Sequence, residues 1–198
     1  RTCMTIRDPR SAIRDRAVRS RKRQRGFTLI EAALTTVIIS TGVLAILSAQ
    51  QAFHRKNDWA QRSGTAMLLA NELRELTITM PKHDPFTGLE TVGPEAGETS
   101  VADYDDIDDF AGVVVSGYGQ GITFDPPINA LRQQVQDLPG WSQRIEVHSV
   151  LPDNISSTFT QPLGTTQLLR VTVTVLWKRP SSTDEPKAIT TLSWVVGE

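Results

Sequence analysis

Residues 27–47 read FTLIEAALTTVIISTGVLAIL and hold one charged side chain, Glu31, in 21 positions. No other feature limits the fold so strongly. As an α-helix the run reaches about 31 Å, close to the ~30 Å hydrocarbon thickness of a bilayer. Immediately before it stand ten basic residues (Arg1, Arg7, Arg10, Arg14, Arg16, Arg19, Arg21, Lys22, Arg23 and Arg25) and only two acids, Asp8 and Asp15. A core helix in a soluble protein needs neither that length nor that flank. The positive-inside rule places the basic segment in the cytoplasm and the remainder outside. The formal net charge of −1 over 198 residues therefore averages two unlike pieces. Residues 1–26 are +8, and the other 11 basic and 20 acidic residues leave residues 27–198 at −9. Whole-chain charge thus says nothing about partners, and no nucleic-acid surface is expected. Cys3, the one cysteine, lies in the basic segment, so no disulfide framework or thiolate metal site is available beyond it. Met4 is a candidate initiator within the same segment.

Glu31 is the anomaly in the apolar run. A carboxylate there costs on the order of 2–3 kcal/mol on insertion scales, which makes an intramembrane acid a functional hypothesis by default. Its setting is Arg25-Gly26-Phe27-Thr28-Leu29-Ile30-Glu31, between a basic leader and an apolar helix. This arrangement closely resembles the N-terminal signal of type IV pilins and type II secretion pseudopilins. The resemblance implies cleavage between Gly26 and Phe27 by a membrane prepilin peptidase, followed by N-methylation of Phe27. Glu31 would then be the fifth mature residue, where that family carries its glutamate. The leader is long beside the short leaders usual in the family.

Elementary electrostatics supports the same role. Cleavage creates a cationic amine at Phe27, and when such helices bundle in a low dielectric, amine and carboxylate each need an opposite charge. Pairing of Glu31 with the Phe27 amine of a neighbour would fix an axial register. An ordinary secretory cut after Leu47-Ser48-Ala49 is the competing site, but it follows too long an apolar region and leaves Glu31 unexplained.

Beyond the bilayer the helical pattern continues. Trp59, Ala66, Leu69, Ala70, Leu73, Leu76 and Met80 recur at spacings of three, four and seven, and Pro81 ends the series. A helix over residues 27–80 would be about 80 Å long at roughly 1.5 Å per residue, with Gly42 and Gly64 as weak points. The chain accordingly divides into a leader (1–26), a membrane and assembly helix (27–53), an amphipathic continuation (54–80) and a head (81–198). Strands are expected near 113–116, at 144–150, at 168–177 and at 188–196, the last two joined as a hairpin through residues 179–186. The expected fold is α+β and pilin-like: a long N-terminal helix whose second half docks on a small antiparallel sheet.

Asp103, Asp105, Asp106, Asp108 and Asp109 form the densest acidic run, with Tyr104, Ile107 and Phe110 among them. Hard oxygen ligands of this kind suit Ca²⁺, but EF-hand spacing, its turn glycine and its terminal glutamate are missing. A solvated acidic loop, or a surface for a basic partner, fits the pattern better, and no metal is assigned. His54, His83 and His148 fall in no paired-ligand spacing, and residues 117–121, Gly-Tyr-Gly-Gln-Gly, read as a flexible turn rather than a nucleotide loop. Asn154-Ile155-Ser156 is a glycosylation sequon. No catalytic constellation or cofactor motif is present, so an enzyme is not expected.

Two functions remain. The resemblance implies a structural subunit, processed by the peptidase and built into a type IV pilus or a secretion pseudopilus. Its partners would be other pilin or pseudopilin subunits, membrane lipid and the inner-membrane assembly platform, with the head in the periplasm before assembly. The segment 40–47 followed by Gln50 and Gln51, and the lack of a C-terminal cysteine pair, resemble minor subunits more than an abundant major one. The alternative is an uncleaved single-pass anchor carrying a binding module.

Overall fold

The computed structural model describes residues 26–86, 88, 91–156 and 158–197. The leader, apart from Gly26, lies outside them. The chain divides into two compact units, residues 1–50 and 51–198.

A single helix, α1 (Leu29–Thr77), contributes to both units. Thr28 caps it: its hydroxyl oxygen accepts a hydrogen bond from the Glu31 backbone N–H at 3.3 Å, as the Thr-x-x-Glu spacing permits. Gly42 and Gly64, expected as weak points, interrupt nothing, because a lone glycine costs only about 1 kcal/mol in a helix with this many good formers. The helix ends at Thr77, earlier than the expected Met80. The Thr77 hydroxyl bonds the Leu73 carbonyl (2.9 Å), and the residues next to Pro81 are pushed out of helical geometry.

In the first unit, apolar side chains point to every side. Val37, Ile38 and Ile39 are consecutive, yet all are 59–68% exposed. Three successive positions cover most of a helical turn, so no single stripe accounts for them. The hydroxyls of Thr35, Thr36, Ser40 and Ser48 donate to the carbonyl four residues back, and Thr41 donates three back. Their polar hydrogens are thereby satisfied without water. By length and composition this helix can cross a membrane.

In the second unit the helix has one buried stripe: Ala66, Leu69, Ala70, Leu73 and Leu76. Trp59, which shares the spacing, is 67% exposed and does not join the core. The stripe packs on an antiparallel sheet ordered β3-β4-β5-β6: β3 (Ile122–Phe124), β4 (Trp141–Val150), β5 (Leu168–Trp177) and β6 (Lys187–Val196). Strict alternation decides which face goes inward. Leu169, Val171, Val173 and Val175 are fully buried, whereas Arg170, Thr172 and Thr174 lie on the other face. Ile145 faces Val173 and Val147 faces Val171 across the β4–β5 ladder, extending the apolar layer. Each such buried side chain contributes roughly 1.5–3 kcal/mol. The Arg62 guanidinium lies 3.8 Å from the centre of the Trp177 ring, a cation–π contact beside this layer.

The glycine-rich stretch is more ordered than a flexible turn. β1 (Val114–Val115) and β2 (Tyr118–Gly119) form a two-residue hairpin with Ser116 and Gly117 both at positive φ, 54° and 83°. Gly119 has to be glycine because a Cβ there would lie 2.5 Å from the Ala111 Cβ. The architecture is α+β and pilin-like, as expected. The short strands β2 and β3 were not foreseen, since two or three residues carry no readable alternation.

Gln143 is the one fully buried amide joining helix, loop and sheet. Its Oε1 accepts from the Ile128 N–H (2.8 Å), and its Nε2 donates to the carbonyls of Leu69 (2.8 Å) and Ile128 (3.1 Å). Gln143→Leu keeps the volume but orphans buried backbone groups, so it should destabilise the second unit by roughly 2–4 kcal/mol. Denaturant unfolding of the full chain in detergent, followed by tryptophan fluorescence, measures this; a loss under about 0.5 kcal/mol contradicts it.

Candidate functional site

Two groups of residues carry chemistry. The first lies at the start of α1. Gly26 and Phe27 are exposed and precede the helix, leaving their peptide bond free of secondary structure. Glu31 occupies the third helical position, where a carboxylate is favoured by the positive end of the helix dipole. It is exposed and has no cationic partner among the described residues. The carboxylate is thus available to a group outside this chain. The Thr28 cap was missed from the sequence, although the Thr-x-x-Glu spacing to Glu31 carries its signal.

The second group is the acidic run, and here the structure corrects the expectation of a solvated loop. Asp106, Asp108 and Asp109 are at most 1% exposed. The reason is their neighbours. Ile107, Phe110 and Ala111 are fully buried around the short 3-10 turn Asp108–Ala111, and the intervening aspartates are carried in with them. Tyr104 supports the turn by an edge-to-face contact with Phe110 at 5.3 Å. The Ile107 N–H is tied to the Pro81 carbonyl at 2.9 Å. Asp103 remains exposed, its Oδ2 accepting from the Ser100 N–H and hydroxyl. Asp105 is exposed as well.

Backbone donors lock the buried acids in place. Asp109 Oδ2 accepts from the N–H groups of Asp105 (3.0 Å) and Asp106 (3.3 Å), and Asp106 Oδ1 accepts from the Asp109 N–H (3.1 Å). Glu98 Oε2 accepts from the Glu95 N–H at 2.8 Å, which brings two glutamates of the preceding loop to the same place. The distant Glu95 and Glu98 could not be connected with the aspartates from sequence spacing. Asp108 Oδ2 meets His83 Nδ1 at 2.6 Å.

Burial pushes Asp106 up to about 8, with the neighbouring Asp108 carboxyl adding to the rise. Burial likewise raises Asp108 to about 7 and Asp109 to about 6, and Glu98 at the rim reaches about 7. Burial lowers His83, whose Nδ1 makes the short contact with Asp108. Burial also lowers His148, far along the sheet. In the absence of a counter-cation these acids hold protons that an unfolded chain would release.

Residues 21–47 match the family described as the prokaryotic N-terminal methylation motif. No curated protein and no solved structure matches the chain.

The raised acids fix the sign of a pH effect. Their folded-state pKa values exceed the ordinary 3.8, so the fold binds more protons than the unfolded chain between about pH 4 and pH 8. Stability is fully present below that window and is lost as pH rises through it. His83 and His148 act in the opposite sense, but four acids outweigh two histidines. In chelator, the thermal midpoint of the second unit should be higher at pH 5 than at pH 8, and Asp106→Asn should flatten the slope. A midpoint that rises from pH 5 to pH 8 contradicts this reading.

Proposed function

From the prepilin-type signal of type IV pilins and pseudopilins on residues 21–47, we propose that this chain is a structural subunit of a type IV pilus or type II secretion pseudopilus, of the minor kind. The observation that carries the reading is the methylation motif seated on a helix whose first half buries none of its side chains among the described residues. Such a helix needs lipid first and other helices later. In the membrane the basic leader stays cytoplasmic and the head lies in the periplasm. Prepilin peptidase then cuts the exposed Gly26–Phe27 bond, and the new Phe27 amine is methylated.

Assembly exchanges lipid for neighbouring helices. The mature Phe27 amine and the Glu31 carboxylate enter a low dielectric together, where an unpaired charge is costly and a paired one sets position. Glu31 of one subunit meets the amine of the next and registers it along the filament axis. The inner-membrane platform supplies the work of extraction, so the chain acts as a building block and not as a catalyst.

N-terminal sequencing of the membrane-extracted protein should give a methylated Phe27 start; an intact leader instead leaves the uncleaved membrane anchor as the better description. Glu31→Ala should be cleaved normally yet lose incorporation into sheared filaments by at least about tenfold, because the Phe27 amine loses its counter-charge. Unchanged incorporation removes Glu31 from the mechanism.

A further inference from the structure

We propose that the second unit binds one Ca²⁺ at the buried acidic cluster, with Glu95, Asp106 and Asp109 as its inner ligands and Glu98 and Asp105 closing the side beyond Asp109. Two overlapping triads share Asp109: Glu95, Asp106 and Asp109, and Glu98, Asp105 and Asp109. In each triad, one oxygen per carboxylate lies within 4.8 Å of the others. Ca²⁺ takes oxygen ligands at about 2.3–2.6 Å, so ligands on opposite sides of one ion stand about 4.6–5.2 Å apart. Each triad is therefore compact enough for its oxygens to reach one ion.

Clustering of acids would mean little alone. The second observation is what the buried oxygens face. Asp106 Oδ2 and Asp109 Oδ1 belong to fully buried residues, and neither accepts a hydrogen bond. Other carboxyls act on them: Asp108 on Asp106, and Asp106 and Glu98 on Asp109. A buried carboxylate oxygen in such company needs either a proton or a cation beside it. The remaining Asp109 and Asp106 oxygens are held by backbone N–H groups, so the ligand oxygens are already positioned. Among the described residues no Lys or Arg forms an ion pair with Asp106 or Asp109. Lys82, the nearest cation in sequence, bonds Gln167 instead.

The donor set chooses the ion. All the ligands are carboxylate oxygens, without sulfur, and His83 is engaged by Asp108. Hard oxygens exclude a preference for zinc or copper, and several acids crowded at one point suit the larger, flexible shell of Ca²⁺ better than the rigid, water-keeping octahedron of Mg²⁺. A groove lined by Val92, Pro94, Glu98 and Tyr104 reaches the rim of the cluster and offers an entry path. Bound there, the ion would fasten the loop bearing Glu95 and Glu98 to the turn that carries Ile107 and Phe110 into the core.

The test is calorimetric titration of CaCl2 into the full chain, stripped with chelator, dialysed and kept in detergent at neutral pH. Expected are about one Ca²⁺ per chain, a dissociation constant of about 1 mM or below, and a raised thermal midpoint. Asp109→Asn replaces a carboxyl shared by both triads with a neutral group of the same shape, so it should fold while binding at least about tenfold more weakly. Glu98→Gln, at the exposed rim, provides a second weakened variant should Asp109→Asn not fold, and Asp184→Asn in the β5–β6 loop should bind like the parent. Absence of saturable binding up to about 10 mM CaCl2 overturns the proposal, as does unchanged affinity in the folded Asp109→Asn or Glu98→Gln chain.

Discussion

Apolar surface that has no cover of its own dominates this molecule. Along residues 29–47 apolar side chains of α1 point to every side, and nothing among the described residues covers them. Water cannot be their solvent at that density, since each exposed Leu or Ile forgoes roughly 1.5–3 kcal/mol of burial. A bilayer or a bundle of like helices removes the deficit. The internal hydroxyl bonds of Thr35, Thr36, Ser40 and Ser48 fit the helix for either environment. Glu31 is the one group that neither environment satisfies by itself, and a carboxylate in that position calls for a cation from outside the chain.

The second half of the same helix solves the problem differently. Ala66, Leu69, Ala70 and Leu73 of the helix share one apolar core with the inward residues of β4 and β5. Gln143 then fixes the approach, because its amide satisfies both a helix carbonyl and a loop N–H in a place water does not reach. The loop between helix and sheet completes the core through Ile107 and Phe110, and that is how acids come to be buried. Packing of two large apolar residues overrides the preference of three aspartates for solvent, at the cost of holding them protonated or pairing them with a cation.

Much of the fold was legible in advance. A 21-residue run with one charge has few outcomes, and alternation in Leu169, Val171, Val173 and Val175 assigns the buried face of β5 without reference to any neighbour. The hairpin to β6 followed from the Pro-rich connection. Trp59 shares the spacing yet is 67% exposed, because helical spacing gives a direction on the helix and not the extent of the surface it meets. β2 and β3 were illegible, being shorter than one period of any pattern. The Gly-rich stretch looked flexible, yet Gly119 is there because Ala111 leaves no room for a side chain.

Gly26, Phe27 and Glu31 stand within six positions of one another, inside the residues 21–47 that match the methylation motif, and a motif of consecutive residues is readable along the chain. The membrane helix is set the same way, since hydrophobic length is a property of consecutive residues. The acidic cluster is not. Its members come from a loop and a 3-10 turn, and whether Asp106 and Asp109 meet water depends on where Ile107 and Phe110 find their core. Charge can be counted in a sequence; the dielectric around it is decided only when distant segments pack, and that is why three of the five aspartates that read as a solvated run are buried.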